Sequence, residues 1–166
     1  YLVINDGGDK DADITNCTAL FVEFDDKPKD FQRSFWKRYK LPEPSVVVDS
    51  GNKSLHNYWA LNEAVSPQEW SMLQRGLVEW VGSDHACVNP SRCMRVPGFI
   101  HHTTGKRSHI VSCSNKKYAP EIFKQLIPDK HLKPALAKAG SDKCWSDAVP
   151  CPICGRDDMD CRIHES

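Results

Sequence analysis

The sequence predicts a mixed α/β fold. Three observations carry this. Short β-branched and aromatic runs alternate with amphipathic helical stretches, and Gly, Pro, Asn and Ser clusters fall between them. The chain has 166 residues, 40% hydrophobic and 27% charged, enough for one domain with a real core and a small appendage. The formal net charge is zero. A dedicated duplex-DNA binder is usually basic, so that class is disfavoured, while a partner gripped by a local patch is not. No apolar run is long enough to span a bilayer, and the opening Tyr1–Asp6 has neither a basic leader nor a cleavage pattern. The expectation is a cytoplasmic chain with no membrane partner.

The elements follow in order. Residues 5–16 are polar and rich in Gly and Asp, hence a loop. Asp9, Asp11 and Asp13 alternate as a calcium loop would begin, but Ile14 and Leu20 stand where its glycine and closing glutamate belong, which excludes that site. Residues 18–25 predict a strand with Leu20, Val22 and Phe24 on one face and Phe21, Glu23 and Asp25 on the other. Residues 29–39 predict a helix with Phe31, Phe35 and Tyr39 on one stripe, ended by Pro42 and Pro44. Val46–Val48 starts a strand, residues 50–53 turn it, and residues 54–61 return. Ser66-Pro67-Gln68-Glu69 is a helix start by three signals: Ser as N-cap, Pro in the first turn and Glu three residues after the cap. Trp70, Leu73, Leu77 and Val81 then form an apolar stripe, and Trp36, Trp70 and Trp80 read as packing residues. Residues 83–106 are largely loop, 108–113 a strand, and 120–126 and 131–139 short helices. Two domains are expected: a core over 1–139, then a linker and cysteine-bearing tail over 140–166.

Three motifs carry chemistry. Glu23 and Asp25, two apart on a strand, project from the same face and could share one or two magnesium or manganese ions through hard oxygen ligands. Ser50-Gly51-Asn52-Lys53-Ser54-Leu55-His56 is a turn whose backbone N–H groups suit an anion, followed by Ser54 and His56 on one strand face, with Lys53 as an added charge. Asp84 follows the strong helix, and Asn89-Pro90-Ser91-Arg92-Cys93-Met94-Arg95-Val96-Pro97-Gly98 and Lys106 come after it. Arg92 and Arg95 suit a triphosphate because the guanidinium fork matches two oxygens at once. Singly, each piece reads equally as a solvent-facing strand end, an ordinary hairpin or surface arginines. A metal platform beside a phosphate cradle handles nucleotides.

In that order, hydrophobic-Glu-x-Asp, Ser-Gly-x-x-Ser-x-His, and Asp followed by Asn-Pro-x-Arg-x-x-Arg-x-Pro-Gly, the chain resembles the archaeo-eukaryotic primase superfamily. Within it, the resemblance is to primase-polymerases of plasmids, phages and mobile elements, RepB-type primases among them. The resemblance covers roughly residues 5–127. It implies an RRM-like catalytic core with an antiparallel-rich mixed sheet and flanking helices. It also implies template-directed joining of nucleoside triphosphates on a single-stranded DNA template and primer, and a replicative helicase as a further partner. Glu23, Asp25 and Asp84 would be the catalytic metal ligands, with Asp26 a spare acid. Ser54 and His56 would hold the nucleotide's phosphates, joined by Lys53, Arg92, Arg95 and Lys106. Glu23 stands where an Asp is commoner, and His101-His102 follow the Arg-x-Pro-Gly segment where many relatives have Asn.

Of eight cysteines, Cys17, Cys87, Cys93 and Cys113 lie singly in apolar contexts and read as buried thiols. Cys151-Pro152-Ile153-Cys154-Gly155 reads as a zinc knuckle completed by Cys161 and His164, with Cys144 as competitor for the fourth place. Free thiols on a tail fit the same residues. Tyr58, Trp59 and Phe99 could stack on a base, though aromatic residues are more often core. Other readings are a metal-dependent nuclease using the same acids, a nickase using His101-His102, and a template- or origin-binding module that does not turn over.

Overall fold

A computed structural model of the chain describes residues 1–132 and the backbone of two later strands, Trp145–Asp147 and Arg162–His164. The chain divides into two compact units, Tyr1–Ala135 and Leu136–Ser166. In the second, the two strands pair antiparallel, Trp145 opposite His164. Cys144, Cys151, Cys154, Cys161 and the His164 side chain, expected to bind zinc, lie outside what is described, as does the helix expected over 131–139 beyond Leu132.

The first unit runs β1 (Leu2–Val3), β2 (Cys17–Val22), α1 (Lys29–Arg38), β3 (Val46–Asp49), β4 (Leu55–Val65), α2 (Pro67–Val81), β5 (Cys93–Met94), β6 (His109–Cys113), β7 (Lys117–Tyr118) and α3 (Pro120–Leu126). Its sheet has the order β2-β4-β3-β6 with each adjacent pair antiparallel, and β7 adds to β4 in parallel. The fold is α+β with an antiparallel-rich mixed sheet. Because β4 lies between β2 and β3, the latter two point the same way, with α1 as the crossover of a split β-α-β unit. The ends of β2 and β3 and the start of β4 therefore bring different parts of the sequence to one region of the sheet.

The helices form for the reasons the sequence offers. Ser66 Oγ accepts the Glu69 N–H at 3.2 Å, and Gly82 ends α2 at φ 66°. On α1, Phe31 and Phe35 meet Phe24 edge-on at ring distances of 5.5 and 4.9 Å, and Phe35 meets Trp59. The buried stripe of α2 packs along β2, an edge strand whose outward N–H and C=O groups would otherwise lack partners. Trp70 Nε1 donates to the Ala19 carbonyl at 2.7 Å, and Gln74 takes both backbone groups of Phe21, accepting its N–H at 3.2 Å and donating to its carbonyl at 2.5 Å. The main core gathers Leu20, Phe24, Phe35, Trp59, Leu73, Leu77 and Phe123, all essentially inaccessible. On the other sheet face, the β1·β5 ribbon and Val96 cover an apolar hollow of about 270 Å³ lined by Val48, Tyr58 and Ile110.

Several expectations shift. β2 stops at Val22, so Glu23 and Asp25 follow the strand, and β4 runs four residues past 61 to Val65. The 83–106 loop contains a 3-10 turn at His85–Val88 and the two-residue β5. Cys17 and Cys87 are buried, but Cys93 and Cys113 are exposed. Cys93 alternates with buried Met94 in β5, and Cys113 ends the outer strand β6, where nothing covers it. Trp70 is fully buried, whereas Trp36 and Trp80 are only partly so. No helix among the described residues is long and apolar enough to cross a membrane.

Candidate active site

Two of the three expected acids, Glu23 and Asp84, meet beyond the end of β2, and Asp25 stands outside their cluster. The Asp84 N–H donates to the Glu23 carbonyl at 2.9 Å, docking the segment after α2 against the end of β2. This brings a Glu23 oxygen, an Asp84 oxygen and Cys87 Sγ within 4.8 Å of one another. Glu23 is 9% exposed. Its Oε2 faces His56 Nε2 at 3.1 Å, and its Oε1 accepts from Arg92 Nη2 at 3.5 Å. Burial alone would raise the Glu23 carboxyl, but the His56 hydrogen bond and charge, then Arg92, outweigh it and hold it below the usual glutamate range. Burial pushes the Cys87 thiol up, helped by Glu23 and Asp84, so it stays protonated. Asp25 Oδ1 accepts from Ser54 Oγ at 2.7 Å, and Asp84 Oδ1 accepts the Ala86 N–H at 3.0 Å. Each keeps a second oxygen for a cation, and a set of carboxylate oxygens suits magnesium or manganese. Asp26 is exposed and paired with Lys27 at 2.7 Å.

The turn after β3 is built by its own side chains. Ser50 Oγ donates to the Ser54 carbonyl at 2.8 Å, and Asp49 Oδ1 accepts the Gly51 N–H at 2.9 Å while Lys29 grips the same carboxylate at 2.7 Å. Gly51 has φ +80°, and a Cβ there would lie 2.9 Å from the Lys106 carbonyl and 3.3 Å from His101 Cβ. The 98–107 loop rests on this turn, with Thr104 Oγ1 donating to the Gly51 carbonyl at 2.7 Å. Gly51→Ala is therefore expected to cost about 1–3 kcal/mol through backbone strain and contact, read as a lower urea midpoint.

Asp49 supplies a pH test. Burial would raise its carboxyl, but Lys29 and the Gly51 N–H win and hold it low. A depressed folded pKa gives stability that is present above the unfolded value, about 3.9, and lost as pH falls through the folded value. Asp49→Asn should thus flatten the loss of stability as pH falls from about 4 downward. An unchanged slope in pH-dependent melting would reject this role.

Ser54, His56, Glu23, Asp25, Arg92 and Arg95 line one cleft of about 180 Å³. His56 Nδ1 lies 3.3 Å from the Tyr58 hydroxyl. Arg92 Nε is buried with no hydrogen-bond partner among the described residues. Asp84 opens into a neighbouring hollow of about 300 Å³ with Asp26, Ser83 and His85, and Asp25 forms the wall shared by the two. Lys53 and Lys106 are exposed and line neither. Of the aromatic candidates, Trp59 is core, Tyr58 is half-buried behind His56, and Phe99 is 65% exposed on its loop.

Sequence reasoning missed three residues. Cys87, read only as a buried thiol, stands beside Glu23, and Gln32 and Gln74 are fully inaccessible. His101, singled out in the sequence with His102, is buried in the cleft wall. The one available signal was a Gln beside each helix's apolar stripe.

The chain is similar to the structure of the AEP domain of cyanophage S-2L primase-polymerase, with 38% identity and a TM-score of 0.74, over 77% of this chain and 69% of that one. It is also similar to two structures of the primase RepB′, one of them the catalytic domain in complex with initiator DNA. These share 19% and 16% identity at TM-scores of 0.51 and 0.53, over 67% of this chain and 39% and 58% of theirs, which is a likeness of fold. No protein-family model and no curated protein sequence matches the chain.

Proposed function

Because the chain belongs to the archaeo-eukaryotic primase superfamily, we propose that it is a DNA primase or primase-polymerase joining nucleoside triphosphates on a single-stranded template. The observation that carries this is the direct contact of the two motifs. Ser54 meets Asp25 at 2.7 Å and His56 meets Glu23 at 3.1 Å, in a cleft that Arg92 and Arg95 also line. A hydroxyl, an imidazole and two guanidinium groups beside clustered carboxylates suit a triphosphate lying between cation and protein donors. The unpartnered Arg92 Nε is a buried donor that a phosphate oxygen would satisfy.

In this reading Glu23, Asp25 and Asp84 would hold Mg²⁺ or Mn²⁺, which when bound would supply charge neutralisation and lower the pKa of a nearby hydroxyl. Ser54 and His56 orient the triphosphate, and Arg92 and Arg95 hold the charge that develops on the leaving group. The 3′-hydroxyl of the primer, or of a first nucleotide, loses its proton to water and attacks the α-phosphorus. The bond to the bridging oxygen breaks and pyrophosphate departs, with no covalent enzyme intermediate. Lys53 and Lys106, outside the cleft, would reach only its rim. DNA as template is in keeping with the RepB′ catalytic domain solved with initiator DNA.

The test is incorporation of labelled nucleotides on single-stranded template, with and without primer, in Mg²⁺ or Mn²⁺. Metal-dependent extension is expected, and product without primer would add priming. Loss of input DNA without incorporation would assign a nuclease. Template binding with neither would leave a non-catalytic module.

A further inference from the structure

Gln32, one turn into α1, is fully buried, yet its side chain serves no residue of its own helix. Its Nε2 lies 3.0 Å from the Phe24 carbonyl, 2.7 Å from that of Lys27 and 3.1 Å from that of Lys53, and its Oε1 accepts the Leu55 N–H at 2.6 Å. Phe24 sits between Glu23 and Asp25. Lys53 and Leu55 flank Ser54. One carboxamide thus ties the backbone that carries the acids to the backbone that carries the phosphate donors. Two amide protons serve three carbonyls, so the group is saturated and its orientation is fixed. The contact that depends on this brace is Ser54 to Asp25 at 2.7 Å, a distance that a shift of about half an ångström would spoil.

We propose that Gln32 is the positioning residue that locks the metal-binding carboxylates to the phosphate-binding strand, so that divalent cation and nucleoside triphosphate bind as one cooperative unit. This rests on the nucleotidyltransferase reading. The brace touches neither ligand. It acts by fixing the separation of two groups that must meet the same phosphate oxygens. Removing it leaves each ligand's own contacts in place and removes their mutual registration, so the loss falls on coupling rather than on either affinity alone.

The experiment uses the full chain and a fluorescent, non-hydrolysable deoxynucleoside triphosphate. Its Kd is measured in EDTA and in Mn²⁺, and the ratio is the coupling factor. In the parent protein the ratio is expected to be about tenfold or more. In Gln32→Met, which keeps the length and loses every hydrogen bond, and in Gln32→Glu, which keeps the acceptor for Leu55 and loses the amide donors, it is expected to fall to about twofold or less. Circular dichroism establishes that each variant is folded at the assay temperature. A folded variant with the parent's ratio overturns the proposal, because a purely structural glutamine would lower the melting point and leave the ratio alone. Failure of both variants to fold also overturns it, assigning Gln32 to stability. A parent that shows no Mn²⁺ dependence at all overturns the nucleotidyltransferase reading itself, a result separable from the other two.

Discussion

The double substitution Glu23→Ala/Asp25→Ala is expected to cut nucleotide incorporation by at least about a thousandfold, which is roughly 4 kcal/mol of transition-state stabilisation. Glu23 is the centre of the charge network: His56 stands 3.1 Å from one oxygen and Arg92 3.5 Å from the other. Removing both acids takes away the oxygens that would bring a cation to the α-phosphate while leaving the cationic wall intact. The triphosphate should therefore still bind, weaker by the roughly tenfold coupling to the cation, and the rest of the loss should appear in kcat. Alanine also leaves Arg92 without its counter-charge and His56 without its partner, so the isosteric pair Glu23→Gln and Asp25→Asn is the sharper control. It keeps volume and removes only charge. Single-turnover extension of a labelled primer, with folding checked by circular dichroism, reads the effect. Activity within tenfold of the parent would sink the assignment of these carboxylates as the metal platform.

How much of this was legible depends on the range of the interaction. The α2 start was readable because Ser66, Pro67 and Glu69 act within one turn, and the structure shows the Ser66–Glu69 hydrogen bond they imply. The shared facing expected of Glu23 and Asp25 rested on strand periodicity, but β2 ends at Val22, and the two line one cleft from the segment that follows it. The meeting of Asp84 with Glu23 is a tertiary matter, made by a backbone hydrogen bond across sixty residues, and only the motif order hinted at it. Gln32 and Gln74 left only the trace of a Gln beside each apolar stripe. Polar residues there count as surface, and nothing in the sequence says that loop carbonyls will lie against Gln32 or a strand edge against Gln74. Lys53 is a different case: it sits in the predicted turn, its side chain is exposed and does not line the cleft, and its carbonyl is what the fold uses. Cys93 and Cys113 read as apolar-context thiols, but a two-residue ribbon and an outer strand offer no second layer to bury them.

Trp70→Ala is expected to be the most destabilising single change, at about 3–5 kcal/mol, against a total of roughly 5–15 kcal/mol for a domain. The side chain is inaccessible, its ring lies 5.8 Å from that of Phe21, and its Nε1 holds the Ala19 carbonyl on the free edge of β2. Alanine opens a cavity and strands that carbonyl. Trp70→Phe keeps most of the volume and loses the hydrogen bond, so it should cost about 1–2 kcal/mol. The difference between the two, read from urea midpoints, separates packing from edge-capping. Equal midpoints for the two variants would show that the hydrogen bond accounts for the whole effect and that the ring fills no space that matters. The consequence for activity also differs in kind from that of the acids. β2 delivers Glu23 and Asp25, so a loosened β2 edge should lower incorporation in step with the unfolded fraction. That loss would recover on cooling away from the melting transition. Removal of the carboxylates acts on the folded protein and should persist at every temperature at which the chain is folded.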